Sequence, residues 1–490
     1  MFPPTLEEWL PDNHPARFVR DFVANLPLES LGFGESKSTM GRPPYDPAML
    51  LALWLYGYIE RIRSSRQLER ACFNQIGCIW LAGQLHPDHN TLSSFLRAHR
   101  QDFKRLFRNM VQVARQLELV GMMVHALDGT KIAALCSKQG AWHRENLQQT
   151  LKELDAAIET LLLQTEQADT QEIGTVALPV ELEDAQQRKA KISEALAELD
   201  AADTNHLQSR EPEARVMKGG DGRKIFSYNA QALRDSTSGL VVAAEVSTDA
   251  ADNYLLVPML DQAEETLGEL AEETLADGGY QSGDEFVKLE EKQRNVLVNL
   301  ESSSDWKPGP YSKEYFMYDQ TADQYTCPQG QTLVFMRQKT KKRKRDGSSY
   351  SLSIYQGTAC LTCPHRPDCT KSGRGLRTIE RANYDEAFTR QRLKQREPNS
   401  RALLRWRGSI IERLFGDIKQ NLGFRRFTVA GLAAVDAQWT QICMTINLKV
   451  FMKWWSSGRL DLTAFGQQSR KLAAVSLMQS FGVTSTKNAG

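Results

Sequence analysis

The sequence predicts a mixed α/β (α+β) protein: a core of alternating strands and helices, preceded by a helical region and interrupted by two insertions. Three observations support this prediction. Between residues 119 and 301, short apolar runs that end in Asp-Gly alternate with helical segments. A stretch with heptad-like spacing and a polar stretch with cysteines break this pattern. Finally, 490 residues exceed one typical domain, so several units are expected.

Composition and charge limit the classes of protein to consider. The hydrophobic (41%) and charged (25%) fractions are ordinary for a soluble globular protein. The net charge is +1, so any affinity for nucleic acid must come from local clusters of basic residues. No apolar run approaches the roughly 20 residues that cross a bilayer, and the N-terminus lacks the pattern of a signal peptide. We therefore expect a cytoplasmic protein that contacts no membrane, with eight cysteines that are reduced and either buried or metal-bound.

Residues 1–118 predict a helical, DNA-binding domain. Asp46 before Pro47 is typical of a helix start, and the apolar run of residues 49–56 follows it. Further helices are predicted from Ser65 and around Thr91. Outward arginines within residues 61–70 and 97–105 resemble those of helix-turn-helix DNA-binding proteins. Helical bundles also carry such arginines for solubility alone, and the pattern by itself leaves both interpretations open.

The first part of the core is predicted at residues 119–141. The apolar run of residues 122–127 indicates a buried strand that ends at Asp128 or just before it. Asp before Gly is also common in turns, so a turn aspartate is the simpler alternative.

Residues 142–211 predict an inserted helical hairpin of coiled-coil type. Leu151, Leu154, Ile158 and Leu161 are spaced three, four and three residues apart, and a second helix follows a loop containing Gly174 and Pro179. The hairpin carries no evident chemistry. It is an arm for self-association or DNA contact, or a packing spacer.

The second part of the core is predicted at residues 212–301. Residues 226–232 and 240–246 form a strand pair, and residues 254–269 form a helix. Residues 274–276 form a short strand that ends at Asp277, followed by a helix from Ser282 or Gly283 and a last strand at residues 295–300. Asp249 and Asp252, just past the strand pair, are further acidic candidates.

Residues 302–384 predict a cysteine-rich, zinc-binding insertion with few apolar residues. Four cysteines supply the soft ligands of a structural, tetrahedral Zn²⁺ site; an Fe–S centre is the alternative, and His365 could replace one sulfur. The basic run of residues 339–345 is either a solvated loop or a contact to phosphates, and the loop is the simpler interpretation. The proposed zinc ligands are Cys327, Cys360, Cys363 and Cys369, and the candidate phosphate contacts are Lys341, Lys342, Arg343 and Lys344.

Residues 385–456 predict the C-terminal helices of the core. Glu412 and Lys419 lie seven positions apart on an amphipathic helix, so both are expected on the same side. A carboxylate among cations suits a metal ion held against a polyanion; a solvated surface helix is the alternative. A buried helix is predicted at residues 432–454, and a poorly ordered tail at residues 457–490. The apolar face comprises Ile410, Ile411, Leu414, Phe415, Ile418 and Leu422, and the cations near Glu412 are Arg407, Arg413, Lys419, Arg425 and Arg426.

Together these motifs resemble the DDE transposases of bacterial insertion sequences. The matching residues are Asp128 in Leu-Asp-Gly-Thr-Lys, Asp277 in Leu-Ala-Asp-Gly-Gly-Tyr, and Glu412 with Lys419 in the Glu-x6-Lys signature. The helical N-terminal region and the four-cysteine insertion resemble one branch of that family. One departure is that the family's Tyr-x-x-Arg-x-x-x-Glu pattern is not kept, because Arg405 and Gly408 occupy the tyrosine and arginine positions.

The resemblance implies a ribonuclease-H-like core that cleaves and joins DNA strands with two Mg²⁺ (or Mn²⁺) ions. It implies that Asp128, Asp277 and Glu412 bind those ions, while Lys419 and the nearby arginines hold DNA phosphates. The expected partner is double-stranded DNA, both terminal inverted repeats and target, bound by a homodimer or larger oligomer. The alternatives are an inactive, transposase-derived DNA-binding regulator and a metal-dependent nuclease that does not join ends.

Overall fold

The computed structural model describes residues 5–34, 44–136, 141–169, 180–201, 204–208, 210–219, 222–300, 309–342 and 347–480. Over these residues the chain is a mixed α/β protein, as predicted. No described helix has the length and apolarity that crossing a membrane requires.

The N-terminal region is helical, and its helices begin where the sequence predicts. Asp46 caps a helix whose first residue is Pro47: its side chain accepts a hydrogen bond from the Ala48 amide. Asp88 caps a later helix in the same way, through the Thr91 amide. In the described residues up to 136, the helices are α1 (Leu6–Trp9), α2 (Pro15–Ala24), α3 (Pro47–Ile59), α4 (Ser65–Asn74), α5 (Ile76–Leu81), α6 (His89–Ala98) and α7 (Arg100–Gln116).

The central sheet comes from two separate parts of the chain. Strand β1 (Val124–Ala133) lies in the middle: it pairs antiparallel with β5 (Lys224–Asp235) on one side and parallel with β7 (Glu273–Ala276) on the other. Strand β5 also pairs with β6 (Val241–Ser247) and β4 (Arg215–Lys218), and β7 pairs in parallel with β8 (Val296–Val298). Among the described residues the sheet has six strands: β1 (Val124–Ala133), β4 (Arg215–Lys218), β5 (Lys224–Asp235), β6 (Val241–Ser247), β7 (Glu273–Ala276) and β8 (Val296–Val298).

Strand β1 corrects one expectation. Asp128 was predicted at the end of its strand or in a turn, but β1 continues through it to Ala133. The reason is the partner strand: Asp128 is paired with Ala232 and Gly129 with Gln231, so β5 keeps the Asp-Gly pair extended. Asp277, in contrast, lies just after β7, as predicted.

Both insertions form their own structure. The first is a helical hairpin, as predicted, and a pair of short strands joins its two ends. The second is a five-stranded antiparallel sheet with a small core of Phe316, Tyr325, Leu333, Tyr355 and Ile379. The loop interpretation of the basic run is therefore wrong at least up to Lys342, which ends a strand. The elements are β2 (Ala141–His143), α8 (Arg144–Asp169), α9 (Val180–Ala201), β3 (His206–Gln208), β9 (Met317–Asp319), β10 (Gln324–Thr326), β11 (Thr332–Lys342), β12 (Ser349–Gly357), α12 (Arg366–Cys369) and β13 (Thr378–Arg381).

Helices complete the core on the faces of the sheet. The predicted helix around Glu412 is present, but it continues after Gly416 as a π-helical turn (Asp417–Asn421). The tail was predicted to be poorly ordered. That prediction is wrong for residues 462–480, which form a helix that buries Leu462 and Phe465. These helices are α10 (Leu256–Leu267), α11 (Gly283–Glu291), α13 (Asp385–Gln395), α14 (Ser400–Gly416), α15 (Leu432–Ser456) and α16 (Leu462–Ser480).

Helix α15 supports the sheet through polar as well as apolar side chains. Asn447 pairs with Val241 of β6: its side chain accepts from the Val241 amide (2.8 Å) and donates to the Val241 carbonyl (2.9 Å). Asp436 accepts from the Val246 amide, and Trp439 donates to the Gln231 carbonyl. Buried backbone groups of β6 and β5 are thereby satisfied, which explains polar residues on a largely buried helix.

We predict that Asn447→Leu destabilises the core. The change leaves the amide and the carbonyl of Val241 buried without partners, which costs about 2–4 kcal/mol in free energy of unfolding. Chemical denaturation followed by circular dichroism measures this cost, with Lys453→Leu at an exposed position of the same helix as the control. Equal midpoints for Asn447→Leu and the wild type would contradict the role assigned to Asn447.

Candidate active site

The parallel pairing of β1 and β7 brings two of the predicted site residues together. Ala126 of β1 is paired with Leu275 of β7. Asp128 and Asp277 each lie two residues beyond this pair, so they stand side by side at the same edge of the two strands. The sequence separates these two aspartates by more than a hundred residues, and the sheet register places them next to each other.

The carboxylate of Asp128 is mostly buried and strongly influenced by its neighbours. Burial and the nearby charge of Asp277 together raise the pKa of Asp128 to about 6, against the opposing effect of Arg407. Arg407 Nη1 lies 3.1 Å from Asp128 Oδ2, and the Gly129 amide donates to Oδ1. Two acids that repel each other in a partly buried site form an arrangement that a cation stabilises.

A third carboxylate, that of Asp252, belongs to the same cluster. Its Oδ1 accepts hydrogen bonds from Lys131 Nζ (3.1 Å), Asn229 Nδ2 (2.6 Å) and Gln231 Nε2 (2.9 Å). Its Oδ2 accepts no hydrogen bond from the described residues. That oxygen and Asp277 Oδ1 lie 3.2 and 3.0 Å from the point where a Cβ of residue 279 would stand. Asp252 Oδ2 and Asp277 Oδ1 therefore both lie beside the backbone of residue 279, close to each other.

Tyr280 is a buried neighbour of these acids. Its side chain is fully buried, and its hydroxyl donates to Gln231 Oε1. Burial raises the pKa of Tyr280 well above its usual value, and the charges of Asp252, Asp128 and Asp277 each raise it further. All three carboxylates are thus close enough to affect one phenol, which makes them a single cluster.

The third predicted acid, Glu412, lies apart from this cluster. It is exposed on α14, with its Oε1 3.2 Å from where a Cβ at Gly408 would stand, so the side chain lies along its own helix. Within the described part of the chain, no hydrogen bond or ion pair joins Glu412 to either aspartate. Arg407, on the same helix, does reach Asp128. Arg234 fixes α14 to the sheet by donating to the Ile410 carbonyl (2.7 Å).

The predicted DNA-contacting cations have different surroundings. Lys419 donates to Thr130 Oγ1, two residues beyond Asp128 on the same face of β1. Arg426 donates to the carbonyls of Ala134 and Cys136, and Arg425 to Gln420. Lys341 pairs with Glu380, and Lys342 is exposed. Arg343 and Lys344 lie outside the described residues.

The four predicted zinc ligands converge. Cys327, Cys360, Cys363 and Cys369 line one cavity of about 30 Å³, together with His365. Burial raises the pKa of the Cys369 thiol, Arg377 opposes this, and the other three cysteines raise it further. A small cavity surrounded by sulfur fits a tetrahedral ion in its donor set. As they stand, however, no three His, Cys, Asp or Glu side chains of the described residues have metal-binding spacing, here or at the aspartates.

Sequence reasoning named Asp252 only as a further candidate and missed the residues that hold it. Asn229 and Gln231 alternate on one face of β5, and both side chains are buried. Polar residues at alternate positions of an apolar strand were the available signal. Their partner lies in the loop after β6, where no periodicity indicates which acid they bind.

Two transposase family models match separate parts of the chain. Residues 326–452 match the model of a transposase DDE domain, and residues 4–98 match the model of a further transposase domain, DUF772. The first match includes the four cysteines, Glu412 and Lys419; Asp128 and Asp277 lie outside both matches. No curated protein matches the chain significantly.

Among solved structures, the chain is similar to a piggyBac transposase in its synaptic complex with hairpin DNA. The identity is 10% over 96% of this chain and 82% of that one, with a TM-score of 0.31. A superposition at this level does not establish a common fold. The two family matches support a DDE-type transposase, an enzyme that acts on DNA.

Proposed function

We propose that this transposase cleaves the ends of an insertion sequence and transfers the cut strands to target DNA by a two-metal mechanism. The observation that carries the proposal is the β1–β7 register, which sets Asp128 beside Asp277 with Asp252 next to them. Carboxylates are the hard oxygen ligands that Mg²⁺ and Mn²⁺ prefer. When bound, such ions would activate the attacking water or 3′-hydroxyl and stabilise the leaving 3′ oxygen.

We further propose that the central sheet is a ribonuclease-H-like core. The strand order β6-β5-β1-β7-β8, with an antiparallel half and a parallel half, supports this. The proposed units are a helical DNA-binding domain (residues 1–118), the core (119–141, 212–301 and 385–456), the hairpin insertion (142–211), the cysteine-rich insertion (302–384) and a C-terminal segment (457–490).

The side chains around the aspartates have separate roles in this proposal. Asp128 and Asp277 hold the metal ions, and Asn229 and Gln231 fix Asp252 so that its free oxygen points at the same site. Arg407 balances the charge of Asp128. Glu412, whose carboxylate lies beside Gly408, must change its side-chain conformation to complete the ligand set. We assign the DNA-phosphate contacts to Lys419, which donates to Thr130, and to exposed Arg425.

The proposed partners are the terminal inverted repeats and the target, as double-stranded DNA, bound by a homodimer or larger oligomer. A regulator without activity and a nuclease that does not join ends are the competing functions. Incubating the protein with labelled DNA from the flanks of its gene separates the three outcomes: binding alone, cleavage alone, or cleavage followed by strand joining.

We predict that Asp128→Asn, Asp277→Asn and Glu412→Gln each reduce cleavage in Mg²⁺ more than about a hundredfold, because each removes a proposed ligand charge at nearly constant shape. DNA binding without metal should change little. Cleavage and binding of labelled terminal DNA are the measurements. Asp261→Asn, which removes a carboxylate from surface ion pairs with Lys292 and Arg294, is the control. Wild-type cleavage in any one of the three variants would remove that residue from the site.

We predict a different effect for Asp252→Asn. Loss of this supporting charge should raise the Mg²⁺ concentration for half-maximal cleavage by about 10- to 100-fold, with a smaller effect on the rate at saturating Mg²⁺. A metal titration of cleavage measures both quantities. Asp261→Asn, whose carboxylate forms ion pairs with Lys292 and Arg294, is again the control. An equal loss of rate at every Mg²⁺ concentration would contradict a role in metal binding.

We also propose that Cys327, Cys360, Cys363 and Cys369 hold one structural Zn²⁺. We predict about one zinc per chain in wild type and much less in Cys363→Ser, by elemental analysis. Protease should then cut the cysteine-rich insertion of the variant faster and spare the N-terminal helices, because metal binding contributes to folding. Cys136→Ser, outside the cavity, is the control. Wild-type protein with less than about half an equivalent of zinc would end this proposal.

A further inference from the structure

A large groove lies where both insertions meet the core. Its volume is about 1480 Å³, and its lining comes from three parts of the chain together with Tyr384 and Phe388 at the start of α13. The first is the β4–β5 pair with the short strands at the base of the hairpin. The second is the pair of loops that follow β6 and precede α11. The third is the β11–β12 pair of the cysteine-rich sheet.

The groove carries more positive charge than the chain as a whole. Among the described residues, four cations line it, Arg215, Lys218, Lys224 and Lys342, against the two carboxylates of Asp249 and Asp284. The whole chain has a net charge of only +1. This local excess of cations is the feature that attracts a polyanion.

Two of these lysines destabilise the strand pair in which they lie. Lys218 of β4 and Lys224 of β5 are direct cross-strand partners, and both are exposed. Like charges directly opposite each other destabilise a strand pair. An anionic ligand that contacts both ammonium groups would relieve this repulsion and be bound by both charges.

Tyrosines stand beside the cations. Tyr350 and Tyr384 form a ring pair with centroids 6.4 Å apart, and Tyr254 lines the same groove. Tyr384 packs against the backbone of Gly283, because a Cβ there would come within 2.2 Å of the ring. Cations that follow a backbone, next to aromatic faces on which bases stack, are the combination that binds single-stranded nucleic acid.

The size of the groove distinguishes one strand from two. Duplex DNA occupies about 1000 Å³ per base pair, taking a radius of roughly 10 Å and a rise of about 3.4 Å. By this measure the groove holds little more than one base pair of duplex, or about three consecutive nucleotides of a single strand. The groove adjoins the aspartates in two places. The loop after β6, which contributes to the lining, carries Asp252. Gln281, also in the lining, follows the turn that Asp277 caps.

We propose that this groove binds a single strand of DNA that leaves the cleavage site, with phosphates on Lys218, Lys224 and Lys342 and bases on the tyrosines. The inference rests on the proposed function, because it assumes that DNA reaches the aspartates. It assigns to the two insertions a shared role: together with the core edge they form the walls of the groove.

The test measures binding of a fluorescent oligo(dT) by anisotropy, without divalent metal, over a range of salt concentrations. Lys218→Ser/Lys224→Ser should weaken binding and flatten the slope of log affinity against log salt by about 1.4, since each single-strand phosphate contact contributes about 0.7. Tyr350→Ala should weaken binding about 5- to 100-fold with an unchanged slope, because stacking carries no charge. Arg470→Ser/Lys471→Ser, on exposed positions of α16, is the matched control and should leave both quantities unchanged. Circular dichroism checks the fold of each variant.

Three results would overturn the inference. One is an unchanged slope in the double lysine variant. Another is a loss of duplex affinity with no loss for oligo(dT), and the third is a loss of affinity for polyglutamate alone, which would assign the groove to an acidic peptide. Cleavage tests the proposed function separately. If Asp128-dependent cleavage persists while the groove variants bind oligo(dT) normally, only this inference fails.

Discussion

The site depends on the position of β1 between β5 and β7. Pairing with β7 places Asp128 beside Asp277, and pairing with β5 places Gly129 beside Gln231. A slip of one residue would turn Asp128 to the opposite face of the sheet and remove it from both neighbours. The register is supported from outside the sheet, because Trp439 and Asn447 of α15 bond to the backbones of β5 and β6. The acidic cluster therefore depends on a helix far along the chain.

The glycines after the two aspartates are explained by the same crowding. A Cβ on Gly129 would lie 2.1 Å from Gln231 Nε2 and 3.0 Å from Asp252 Oδ1. A Cβ on Gly279 would press on both Asp277 and Asp252. Any larger residue at position 129 would displace the amide that holds Asp252, so at this position Asp-Gly reflects packing around the cluster. From the sequence, a turn was one explanation for this Asp-Gly pair. The pair lies within a strand instead, and packing is the reason for its glycine.

Local sequence patterns predicted much of the fold. The elements that they did not predict are those that depend on tertiary contacts. Short stretches of sequence determine several elements: the helix caps at Asp46 and Asp88, the strand before Asp277 and the buried face of α14. Helix α16 was missed because its packing partners are α2 and α7, more than three hundred residues away. The cysteine-rich sheet was missed because most of β11 is exposed, so its sequence lacks the apolar alternation of a half-buried strand.

The charges of the cluster connect its stability with its chemistry. Three carboxylates, Asp128, Asp252 and Asp277, are faced by two cationic side chains, Lys131 and Arg407. The fold thus holds an excess of negative charge in a mostly buried position, and the raised pKa of Asp128 is a direct consequence. Such an arrangement opposes folding, so the hydrogen bonds from Asn229, Gln231 and Gly129 are needed to hold it. In the proposed function, the same excess of charge favours a divalent cation at this place, because hydrogen bonds fix the carboxylate oxygens before the ion arrives.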